Sequence, residues 1–169
     1  SLDLNNAADA QLLNIETVSA ANVLVNVAID LTSQADGFSI IGGASADSLT
    51  GSSGADNFSA GAGNDLIFGF VGADTIDGGA NTDTLVLTGN SSDLNLAGAN
   101  DARITSVEAI YAADASAGVT ISLAAQIEGF SITGGAYADS ITGGSASNSF
   151  IGFVSVDTLI GGAGDDVVI

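Results

Sequence analysis

The chain has 169 residues, and its 20 acidic side chains face a single base, Arg103, with no His, so the formal charge is −19 at pH 7. There are 23 Gly and no Pro, Cys, Met or Trp. Disulfides, Cys nucleophiles, His or Lys general bases and His/Cys metal centres are thereby excluded, and so is nucleic acid, whose phosphates require clustered Lys and Arg. Apolar residues still make up 46% of the chain, which separates it from a disordered acidic tail. A folded protein this acidic needs counter-cations, and divalent ions supply the most charge per site. No apolar run is long enough to span a bilayer, so no membrane insertion is expected. The start, SLDLNNAADA, has neither the basic region nor the apolar core of a secretory signal.

In chain order, the first predicted elements are short strands. One lies around Ile15–Thr17, and one follows at 23–31, where every odd position is apolar, a period of two. A third lies at Phe38–Ile40. Nonapeptides then run in frame: GGASADSLT (42–50), GSSGADNFS (51–59), AGAGNDLIF (60–68), GFVGADTID (69–77) and GGANTDTLV (78–86). Residues 87–103 are the expected seam between two copies, 1–92 and 93–169. The second copy repeats the plan, with strands at Ile104–Val107, around Val119, Ile121 and Leu123, and at Phe130–Ile132. Its nonapeptides are GGAYADSIT (134–142), GGSASNSFI (143–151), GFVSVDTLI (152–160) and GGAGDDVVI (161–169).

Position six of these units is Asp47, Asp56, Asp65, Asp74, Asp83, Asp139, Asp157 or Asp166, with Asn148 as the exception. Position eight is always a large apolar residue. Six small, Gly-rich residues make a tight turn, and the last three place one side chain inward between two that face out. Two units would close one coil of a flattened right-handed solenoid, with the strands of stacked coils paired in parallel and position eight forming a ladder inside. Carboxylates and turn carbonyls then converge into a cage of hard oxygens, which suits Ca²⁺ better than Mg²⁺. Asp and Gly also favour turns without any metal, but an uncompensated row of carboxylates would repel.

This tandem pattern resembles the GGxGxDxUx repeat of repeats-in-toxin (RTX) calcium-binding β-rolls. The resemblance implies an all-β, right-handed parallel β-helix/β-roll solenoid that takes Ca²⁺ as its cofactor. It implies that each ion lies between a unit and the next but one, pairing 42–50 with 60–68, 51–59 with 69–77, 60–68 with 78–86, 134–142 with 152–160, and 143–151 with 161–169. The expected ligands are the nine position-six residues, with backbone carbonyls near Gly42, Gly51, Gly61, Gly63, Gly69, Gly72, Gly78, Gly134, Gly143, Gly152, Gly161 and Gly164. Five ions would offset about half of the charge. Position four, which favours a left-handed Gly, is instead Ser45, Tyr137, Ala146 or Ser155 in several units. With Asn148 lacking a carboxylate charge, the sites of the second copy are expected to be weaker and one to be empty.

Three features lie outside the turn motif. Phe70-Val71 and Phe153-Val154 occupy positions two and three of matching units, where an exposed apolar edge is expected, covered either by a neighbouring loop or by another subunit. Arg103 beside Asp101 reads as a surface ion pair rather than a catalytic base. Glu16 and Glu108, equivalent in the two copies, read as structural rather than as a glycosidase carboxylate pair.

The wide coils passing into RTX units resemble bacterial surface-layer proteins and large secreted adhesins. That resemblance implies a non-enzymatic extracellular protein of the bacterial cell surface, exported by a type I route, folding on Ca²⁺ and self-associating into a lattice or filament, with cell-surface carbohydrate as a further partner. The alternative is an RTX folding and secretion module of a larger secreted enzyme or toxin. Residue 169 ends inside the repeat frame without the C-terminal signal of such export, so the expectation is a piece of a longer chain.

Overall fold

The computed structural model describes residues 2–3, 14–91, 103–152 and 154–169. Among them there is no α-helix. The strands are β1 (Leu2–Asp3), β2 (Thr17–Ser19), β3 (Ala28–Asp30), β4 (Ser39–Ile41), β5 (Ser48–Thr50), β6 (Asn57–Ser59), β7 (Leu66–Phe68), β8 (Thr75–Asp77) and β9 (Thr84–Val86). They continue with β10 (Ile104–Thr105), β11 (Ala109–Tyr111), β12 (Thr120–Ser122), β13 (Ser131–Thr133), β14 (Ser140–Thr142), β15 (Ser149–Ile151), β16 (Thr158–Ile160) and β17 (Val167–Val168). The chain divides into two compact units, Ser1–Leu85 with Arg103–Val107, and Val86–Ala102 with Glu108–Ile169.

In the first unit, consecutive strands alternate between two parallel sheets, as a β-solenoid requires. The even strands run in the order β10-β8-β6-β4-β2, and the odd strands β1 to β9 pair in sequence. The registers stack Val18, Ile40, Phe58, Ile76 and Ile104 in one inward ladder. Ile29, Leu49, Ile67 and Leu85 form the other. All nine side chains are buried. Burying each is worth roughly 1.5–3 kcal/mol, which is how three-residue strands hold a coil together. The second unit repeats this with β11-β13-β15-β17 and β12-β14-β16. Ile110, Ile132 and Phe150 stack on one side, and Ile121 on Ile141 on the other. Its ladders open towards residue 169, where Val168 is 66% exposed.

Every nonapeptide places its strand at positions seven to nine, as its pattern predicts, except the last, whose β17 covers positions seven and eight. The wider coils are less regular than expected. The alternating stretch 23–31 yields only β3, because a turn closed by Val23 N–H donating to Ala20 O begins it. Residues 23–27 then run beside the 42–50 turn, through Ala44 N–H to Val23 O and Ser48 N–H to Val27 O, and leave Leu24 and Val25 exposed. The first predicted strand is likewise shifted to Thr17–Ser19, with Val18 inward and Ile15 out. The expected seam at 87–103 falls largely outside the described residues.

Candidate calcium-binding turns

Stacked nonapeptide turns, 18 residues apart, are joined by the position-six side chain of the later one. Asp65 Oδ1 accepts the Asp47 N–H at 2.7 Å, and Asp83 Oδ1 accepts the Asp65 N–H at 2.8 Å. On the opposite edge Asp74 Oδ1 accepts the Asp56 N–H at 2.8 Å. The second unit repeats the link, from Asp139 N–H to Asp157 Oδ1 and from Asn148 N–H to Asp166 Oδ1. The neighbouring backbone reinforces it, with Leu66 N–H donating to Asp47 O, Thr84 to Asp65 O and Thr75 to Asp56 O. The structure thus stacks alternate nonapeptides, the arrangement the repeat spacing requires.

What the second carboxylate oxygen does divides the turns into two kinds. In the turns nearest the wide coils, the carboxylate closes on its own turn. Asp47 Oδ2 accepts the Gly43 N–H, Asp139 Oδ2 the Gly135 N–H, and Asp56 Oδ2 the Ser52 N–H and hydroxyl. Their Oδ1 atoms accept Val27, Val119 and Phe38 N–H groups from the wide coils. These turns contain no left-handed residue.

The turns further along have another backbone path. Gly61 and Gly63 have φ of 107° and 130°, Gly79 and Asn81 98° and 86°, and Gly162 and Gly164 100° and 91°. A Cβ at Gly61 would strike the carbonyl of Gly43, and one at Gly79 that of Gly61, so both positions demand Gly twice over. In the 60–68 turn the position-two N–H no longer reaches the carboxylate. Asp65 is fully buried, and its Oδ2 has no hydrogen-bond partner. Burial pushes the Asp65 carboxyl above its ordinary pKa, and the Asp47 charge adds to this, against the lowering effect of the Asp47 N–H. Asp56 is raised by burial in spite of the donors from Phe38 and Ser52. The Asp157 carboxyl is lowered, chiefly by the N–H of Asp139 and with help from Ser155, against a raising effect of burial.

A buried carboxylate oxygen with no donor is a costly feature that a cation would relieve. Among the described residues no three acidic side chains gather at one point, so a cation here would have to draw on turn carbonyls as well. Hard carbonyl and carboxylate oxygens are the donor set that Ca²⁺ takes, and the residues present fit it.

One sequence expectation changes, and one residue gains a role. Phe70 is not an exposed edge residue: it is 2% exposed, because left-handed Gly69 and a tight turn from Val71 N–H to Gly69 O carry it inward. Val71 and Val154 are exposed, and Phe153 lies outside the described residues. Arg103, whose expected partner Asp101 is also outside them, donates Nε–H and Nη2–H to Asp74 O at 3.0 and 2.7 Å. In the stacks above, the equivalent carbonyl receives the N–H of the next turn, and at Asp74 the Arg103 side chain donates to it. Sequence reasoning missed this role, although a lone base following an acidic repeat block was its signal. Glu16 and Glu108 sit alike in their units, exposed, with carbonyls that accept Ser39 and Ser131 N–H groups.

A family model described as RTX calcium-binding nonapeptide repeat (4 copies) matches residues 39–67, 50–85 and 133–168. No curated protein and no solved structure matches the chain. The matched stretches are those whose turns stack through position six, and nonapeptides of this family are calcium-binding. Sequence pattern, solenoid and turn geometry agree: the chain belongs to the RTX calcium-binding β-roll proteins.

Proposed function

We propose that this chain is a structural module whose nonapeptide turns order on binding Ca²⁺ outside the cell. The observation that carries the reading is the fully buried Asp65, whose Oδ2 has no hydrogen-bond donor. The ions would lie between stacked turns, held by Asp47 with Asp65, Asp56 with Asp74, Asp65 with Asp83, and Asp139 with Asp157, together with carbonyls of the Gly-rich halves. In this role calcium supplies charge neutralisation and cross-linking rather than chemistry. The protein's own part is to hold the carboxylates at a fixed vertical spacing, through the N–H links and the apolar ladders.

Without the ion, the buried carboxylates and the entropy of Gly-rich turns oppose folding. Extracellular calcium modules work at roughly 10⁻⁴–10⁻³ M, so the turns that take calcium would stay loosely ordered in the cytosol and close after export. Assembly into a surface layer, filament or adhesin stalk belongs to the same proposal. Buried Phe70 removes one of its contact residues, and the support that remains is the exposed Val71, Val154 and Val156. Circular dichroism during a calcium titration tests the folding claim, and sedimentation of the same samples tests assembly. Strand signal should rise with calcium in the stated range. Full signal in chelator would refute the reading.

A further inference from the structure

Asn148 is the only position-six residue without a carboxylate. Its orientation is set by its surroundings. Phe130 N–H donates to Asn148 Oδ1 at 3.1 Å, and a backbone N–H can meet only an acceptor, so the amide nitrogen must face the turn. There the two Nδ2 hydrogens are shared among Ala146 O at 2.7 Å, Gly161 O at 3.2 Å and Asp166 Oδ1 at 3.0 Å. Two carbonyls from two stacked turns and one carboxylate therefore converge on a single nitrogen, in a side chain that is 3% exposed. Carbonyl and carboxylate oxygens are what Ca²⁺ would take at such a place, and here the positive ends of the amide N–H bonds already satisfy them.

We propose that the Asn148 amide stands in for a cation, so that turns 143–151 and 161–169 close on each other without calcium. This rests on the reading that the four pairs with Asp at both position-six places do take calcium. The residues at the fifth pair do not fit the ion, since an N–H group already occupies the point where its oxygens meet. The last turns of the second unit then keep their order at calcium concentrations that empty the other pairs, and provide a formed edge on which neighbouring coils can stack.

The test combines calorimetric calcium titration with amide hydrogen exchange in chelator, on the wild type and on Asn148→Asp and Asn148→Ala. Val167 N–H, bonded to Asn148 O, reports on this pair, and Thr84 N–H, bonded to Asp65 O, reports on a calcium-dependent one. Wild-type Val167 should exchange more slowly than Thr84 in chelator, by about tenfold or more. Asn148→Asp should bind one calcium more per chain than the wild type and lose the chelator protection at Val167. Asn148→Ala should lose that protection without gaining an ion, which keeps the claim testable if the Asp variant misfolds. Equal, non-zero stoichiometries in the wild type and Asn148→Asp would overturn the stand-in role alone, as would equal exchange at Val167 and Thr84. A wild type that binds no calcium would overturn the calcium reading itself and this inference with it.

Discussion

Replacing Asp65 by Asn separates the two effects that meet at its carboxylate. The amide keeps Oδ1 for the Asp47 N–H but removes a buried charge whose second oxygen has no donor. Leaving such a group unsatisfied costs about 1–3 kcal/mol, so in chelator Asp65→Asn should be more stable than the wild type by that order. Asn148 shows that an amide at position six can find carbonyl partners in the 143–151 turn. In calcium the sign reverses. Asp65 belongs to two proposed turn pairs, and each ion contributes about 2.7 kcal/mol at one hundred times its Kd, so the stabilisation by calcium should shrink by roughly 5 kcal/mol. Urea unfolding with chelator and with saturating calcium measures both numbers on one protein. An equal loss of stability in the two conditions would refute the reasoning, because it would make Asp65 a turn residue and nothing more.

Acidification should partly replace calcium. The raised pKa values of Asp56 and Asp65 mean that the folded state holds its protons more tightly than the unfolded chain, so calcium-free stability should increase as pH falls through the folded values towards 3.8. Thermal melts in chelator from pH 7 to pH 4 check this, and Asp65→Asn should flatten the slope. Gly79→Ala should destabilise by more than about 1 kcal/mol, since its φ is 98° and its Cβ would meet a carbonyl, whereas Gly89→Ala, with open space around it, should be near neutral in the same melts. Phe58→Ala should cost about 3–5 kcal/mol by denaturant unfolding in calcium, against a few tenths for the exposed Val168→Ala. Arg103→Gln should cost about 1–3 kcal/mol, because Asp74 O loses two charged donors.

Much of this was legible in the sequence because a nonapeptide carries its own structure. Positions seven to nine dictate a three-residue strand, and position eight dictates the ladder, so Leu49, Phe58, Ile67, Ile76 and Leu85 are buried as their spacing requires. The stacking of alternate units followed from the RTX resemblance, and the 18-residue links at Asp65 and Asp83 reproduce it. The wide coils were less legible, since apolar alternation at 23–31 does not reveal the turn at Ala20–Val23 that cuts the strand to Ala28–Asp30. Nor could the pattern separate closed from open turns. Asp47 and Asp65 occupy the same motif position, and only the backbone path at position two decides whether a N–H reaches the carboxylate. Phe70 misled for a related reason: a turn position usually faces solvent, but Gly69 and the tight turn after it reverse the chain inward.

The most direct test of the calcium account is anomalous scattering from crystals of the calcium-loaded protein. The account predicts a calcium peak between the 60–68 and 78–86 turns, with an Asp65 carboxylate oxygen at about 2.3–2.6 Å and turn carbonyls completing the shell. A calcium-loaded crystal with no peak there, and Asp65 Oδ2 satisfied by a protein donor or water instead, would contradict it.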